Sequence, residues 1–103
     1  MNLIKKKEGL IELLNGYIAG NIPCFQLQSF AWEVIDYFSS SDILELPIRQ
    51  PWEREFWFSI WQITHLADHE HEKNGLTKRE LEKALSYLKE ETQMPSSYIG
   101  ERP

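Results

Sequence analysis

The sequence predicts an all-α fold: residues 1–103 form a single-domain bundle of four principal helices, with a central aromatic-rich third helix and an extended C-terminal tail over 92–103. Three observations carry this expectation. Segment 51–72, PWEREFWFSIWQITHLADHEHE, contains no charge from Phe56 through Ala67, and its apolar side chains cover more than one face of a 3.6-residue helix. A helix that is apolar nearly all round has to be wrapped by other elements. Two earlier segments, 3–19 and 23–38, repeat apolar residues at single-face helical spacing. Finally, Thr77-Lys78-Arg79-Glu80 spells a capping box ahead of an apolar stripe. A chain of 103 residues is one domain by length and can bury a core without metal or disulfide support.

In chain order, Leu3, Leu10, Leu14, Tyr17 and Ile18 define the inner face of helix one, which Gly20 ends. Pro23 opens helix two, with Phe30, Val34 and Phe38 at i, i+4 and i+8 and Glu33 and Asp36 on its other side. The run Ser39-Ser40-Ser41-Asp42 breaks that helix, and Pro47 disfavours helix at Leu46, so ILELPIRQ reads as an irregular connection. Ordered connections of this length more often serve binding than spacing. Pro51 suits the first position of helix three, and Asn74-Gly75 supplies its stop. Trp57, Ile60, Trp61 and Phe30 are expected to be buried together, while the far end of helix three emerges with Asp68, His69, Glu70, His71 and Glu72. Helix four packs through Leu81, Ala84, Leu85 and Leu88, and Tyr98 and Ile99 can pin the tail to the bundle.

The net charge of −5 is unevenly spread. Between residues 8 and 53, Glu8, Glu12, Glu33, Asp36, Asp42, Glu45 and Glu53 face only Arg49, a local charge of −6. An acidic field repels phosphate backbones and speeds encounter with cationic proteins, so no direct nucleic-acid contact is expected and a basic protein partner is favoured. Simple solubility explains the same charges equally well. The single cysteine, Cys24, excludes an intramolecular disulfide and a Cys-based zinc site, which points to a reducing cytoplasm. Glu8, Glu12 and Asn15 interrupt the opening apolar run, so no signal peptide is expected, and no uncharged stretch reaches membrane-spanning length.

Catalytic patterns are sparse. His65 and His69 stand at i, i+4, and HLADH has the outline of an H-x-x-acid-H zinc motif with Asp68 as the acid. Peptidase motifs of that kind carry glutamate and take a third ligand from another element, so the reading is no resident metal, with a metal-dependent hydrolase using His65 and His69 as a remote alternative. Cys24 has no identifiable base, no G-x-S-x-G surrounds any serine, and the five glycines form neither a P-loop nor a dinucleotide fingerprint. No enzyme activity and no cofactor are expected. Leu76-Thr77-Lys78-Arg79-Glu80-Leu81-Glu82 looks like the opening of a response-regulator helix-turn-helix domain. No second, recognition helix follows it, and the capping box accounts for the same letters.

A different resemblance spans the chain. Leu10 to Phe38, LIELLNGYIAGNIPCFQLQSFAWEVIDYF, is a helix, a G-N-I turn and an aromatic second helix; with the loop, aromatic helix and T-x-x-E helix that follow, it is similar to colicin-D-type immunity proteins and to the helical immunity proteins of contact-dependent growth inhibition systems. What the resemblance implies is a cytoplasmic bacterial protein that neutralises a cognate toxin domain, commonly an RNase, by blocking its substrate site. The family offers no binding motif to carry over. Charge alone nominates Glu33, Asp36, Asp42 and Glu45, since no basic residue lies among them, and then Asp68, Glu70 and Glu72, which oppose the dipole at their helix's end. Lys73, Lys78 and Arg79 are local partners for the second group. A small adaptor bundle for some other basic protein is the competing class.

Overall fold

The computed structural model describes residues 2–39, 48–68 and 74–103. It is an all-α four-helix bundle of α1 (Leu3–Ile18), α2 (Cys24–Ser39), α3 (Glu53–Asp68) and α4 (Asn74–Leu88). Each helix packs on the next, and α4 closes back on α1. Leu10 and Leu14 of α1, Leu27, Ala31 and Val34 of α2, Phe56, Trp57, Ile60 and Ile63 of α3, and Leu81 and Leu88 of α4 fill the centre. The stripes legible in the sequence are thus the faces that meet.

Local chemistry fixes the helix ends. The Asn2 side chain accepts hydrogen bonds from the backbone N–H groups of Ile4 (3.0 Å) and Lys5 (3.3 Å), which caps α1. At its other end Gly20 takes φ +81°, with Gly20 N–H donating to the Tyr17 carbonyl and Asn21 N–H to the Gly16 carbonyl. This is a Schellman turn. The same pair of bonds closes α4, from Glu90 to Tyr87 and from Glu91 to Ser86, but here the left-handed residue is Glu90 at φ 60°. A side chain in that conformation costs about 1–2 kcal/mol. Glu90→Gly should therefore stabilise the protein by about 1 kcal/mol, after the entropy that glycine loses on folding is set against the relief. Thermal melts read the result, and a variant no more stable than the parent would mean that Glu90 carries a compensating interaction.

Two expected boundaries move. Asn74 and Gly75 open α4 rather than stopping α3, which ends at Asp68. An Asn-Gly pair can punctuate either end of a helix, so the capping-box letters at Thr77–Glu80 fall inside the first turns of α4 instead of at its start. Pro51 and Trp52 form a turn that leads into α3 at Glu53. Residues 40–47, the expected irregular connection with Asp42 and Glu45, and residues 69–73 lie outside the described residues.

α3 is buried most completely, and what wraps it is only partly helical. α2 and α4 cover two of its sides. The C-terminal tail covers another. Phe58 packs against Tyr87, Met94 and Tyr98, with ring centroids 6.0 Å from Tyr87 and 5.1 Å from Tyr98. Arg54 donates to the carbonyls of Tyr98 and Pro95, Arg49 to that of Gly100 (2.7 Å), and the Trp61 indole to that of Glu101 (2.8 Å). Gly100 is buried so tightly that a Cβ there would collide with the Arg54 carbonyl. Tyr98 pins the tail as expected, but Ile99 is 72 % exposed and does not. Trp57 and Ile60 are fully buried, whereas Trp61 and Phe30 sit half-buried at the edge of the core. The expected four-residue cluster is thus split, with Trp61 turned toward the tail.

Candidate functional site

The strongest electrostatic feature of the described residues is internal. Glu53, the first residue of α3, is wholly buried, and both carboxylate oxygens are occupied. Oε1 accepts from the Trp57 indole (3.1 Å) and Arg102 Nε (2.6 Å); Oε2 accepts from the Gln50 amide (2.6 Å) and the Arg102 guanidinium (2.8 Å). Burial pushes the Glu53 carboxyl up, but the bonds from Arg102, Gln50 and Trp57, with the Arg102 charge, outweigh it and hold the group below its usual range. Glu53 in turn raises Arg102. A perturbed carboxylate can mark an active site. This one has no acceptor position left and stays ionised near neutrality, so it braces the tail against α3. Glu53 therefore leaves the acidic field in which the sequence placed it.

The solvent-facing candidate is the outer side of α2. Leu27, Ala31, Val34, Ile35 and Phe38 turn inward at i, i+4, i+7, i+8 and i+11. The opposite ridge, in the same rhythm, is Phe25, Ser29, Trp32 and Asp36, all exposed. Phe25 is 62 % and Trp32 49 % exposed, unusual values for large aromatics on a helix whose core face is already filled. Tyr37, 39 % exposed, and Glu33 flank this ridge on the side of α1. Beyond them lies an open groove of about 580 Å³ lined by Asn2, Lys5, Lys6, Gly9, Phe30 and Tyr37.

Of the residues nominated by charge, Glu33 and Asp36 share this face. Glu33 is met by Lys6 of α1 at 3.3 Å, with the same ammonium 5.4 Å from the Phe30 ring centroid. A cation remote in sequence therefore answers the acid that appeared unopposed. Asp36 forms no ion pair among the described residues. Asp42, Glu45, Glu70 and Glu72 lie outside the described residues, and so do His69 and His71. Asp68 ends α3, eleven residues beyond Trp57; at 1.5 Å per residue that is about 16 Å along the axis. Trp57 is where the C-terminal end of α2 meets α3, through Phe38 at 5.1 Å.

His65 is exposed near the end of α3, and Cys24 is half-buried at the start of α2. Among the described residues no group of three or more His, Cys, Asp or Glu side chains could hold a metal ion, and no helix is long and apolar enough to cross a membrane. Sequence reading named only the acids Glu33 and Asp36 on the outer side of helix two and assigned Phe25 and Trp32 to no face. Their signal was available: both fall half a turn away from the Leu27–Val34–Phe38 stripe. Comparison with protein-family models, with curated proteins and with solved structures finds no match.

Proposed function

We propose that this chain is an immunity protein that binds a cognate bacterial toxin domain, a nuclease, and occludes its basic substrate site. The observation that carries the reading is the outer ridge of α2, where exposed Phe25 and Trp32 stand beside exposed Asp36 and Glu33. Aromatic anchors within a charged surround are the usual composition of a binding hot spot. A nuclease offers the complementary charge, since its substrate site holds phosphates. The likeness of Leu10–Phe38 to helical immunity proteins supports the same assignment.

The mechanism divides labour between charge and packing. Asp36 and Glu33 steer the encounter, and Trp32 and Phe25 lose water against the partner and hold it. Co-expression tests the function: a nuclease-like open reading frame beside the gene should arrest growth, and this chain should restore it. Unrelieved arrest would move the assignment to an adaptor for a different basic protein. With the toxin in hand, Asp36→Lys should slow association and flatten its salt dependence, whereas Trp32→Ala should act on dissociation, by about 30-fold for a 2 kcal/mol anchor. Stopped-flow mixing at two ionic strengths separates these effects. Unchanged rates in both variants would take the interface off α2.

A further inference from the structure

We infer that Trp32 and Asp36 form a receptor for an arginine side chain of the partner, with the guanidinium laid over the indole and paired to the carboxylate; this rests on the α2 ridge being the binding face. The two residues stand at i, i+4, the spacing that brings helical side chains into contact. Both are exposed, and neither pairs with a cation among the described residues. The ridge lies opposite the packed face of α2, and its residues are exposed among the described residues.

The molecule builds the same device twice within itself. Lys6 stands 5.4 Å from the Phe30 centroid while it pairs with Glu33, and Arg102 stands 5.7 Å from the Phe38 centroid while it pairs with Glu53. In each, an α2 aromatic and a carboxylate share one cation. Trp32 and Asp36 repeat the aromatic and the acid and leave the cation to come from outside. Indole is the best of the aromatic faces for a cation. Arginine fits this receptor better than lysine, because a planar guanidinium sheds its hydration more easily, stacks on a ring and offers a carboxylate two parallel N–H groups, whereas an ammonium is a strongly hydrated point charge. A second copy of this chain is a poor occupant, since it would set Asp36 and Glu33 against their own duplicates.

The probes are two capped peptides, hexa-arginine and hexa-lysine, titrated calorimetrically into the intact protein at one ionic strength. The arginine peptide should bind about three- to fivefold more tightly. Trp32→Leu should shrink the arginine preference to what the carboxylate alone provides, and Asp36→Asn should weaken the arginine peptide more than the lysine one. Both substitutions are at exposed positions, and unchanged melting confirms that the variants are folded. Equal affinities in the parent protein, absence of binding by either peptide, or a preference undiminished by Trp32→Leu would each overturn the assignment. Growth rescue keeps the two proposals apart. Rescue without arginine preference removes the receptor alone; arginine preference without rescue removes the immunity reading alone.

Discussion

Arg102→Ala should destabilise the protein by about 3–5 kcal/mol, the cost of leaving a buried charge without its partner. Arg102 supplies two of the four hydrogen bonds to Glu53, and the carboxylate it would abandon is wholly buried. The pH dependence should confirm the origin of the loss. In the parent, Glu53 is held below its ordinary range, so its stabilising contribution is complete above the pKa of an unfolded glutamate, near 4.3, and is lost as pH falls through the depressed value. Without the guanidinium, two hydrogen bonds and the neighbouring positive charge are lost, and the same carboxyl should titrate higher than it does in the parent. Its penalty then applies at neutral pH and is relieved by protonation. The stability gap between the two proteins should therefore be widest near pH 7 and narrow below about pH 4. Urea unfolding across this range measures it, and a gap independent of pH would locate the loss in packing rather than charge.

Trp57→Ala should cost a comparable amount, about 3–5 kcal/mol as a large aromatic truncation, and more than Trp61→Ala. Trp57 is fully buried, stands edge-on to Phe38 and Phe56 at 5.1 and 4.9 Å, and donates to Glu53. Trp61 is half-buried, and its indole serves the tail. Paired thermal melts test the ranking. A Trp61 variant as damaged as the Trp57 one would mean that the tail carries far more of the fold than its contacts indicate.

These two tryptophans show where sequence reading succeeds and where it stops. The stripe Leu81, Ala84, Leu85, Leu88 and the inward face of α2 were legible because helical periodicity is a local property. That α3 needed cover on more than one face was legible too. Tyr98 signalled that the tail supplies part of the cover, but the bonds that hold the tail were not legible, because they go to its backbone carbonyls, which every residue possesses. Glu53 was counted among acids that advertise to a partner, since the arginine that neutralises it lies 49 residues away. Lys6 and Glu33, 27 residues apart, escaped for the same reason. On α2 the acids were found and the aromatic anchors beside them were not, because the outer side was searched for charge alone, and Phe25 and Trp32 emerge only when their phase is compared with the inward stripe.

The C-terminal tail also bears on how fast the protein comes apart. Its bonds join residues 40 to 51 positions apart, whereas the helices and their turns are local. Contacts between distant parts of the chain close late, after loop entropy has been met by the packing of nearer elements. The Arg102–Glu53 pair should thus be absent from the folding transition state. Interactions made only after that barrier leave the refolding rate alone and act wholly on escape from the native state. Losing 3–5 kcal/mol there would accelerate unfolding by about two to three and a half orders of magnitude at an unchanged folding rate. The tail is in this sense a kinetic lock, and it sets the lifetime of the folded bundle.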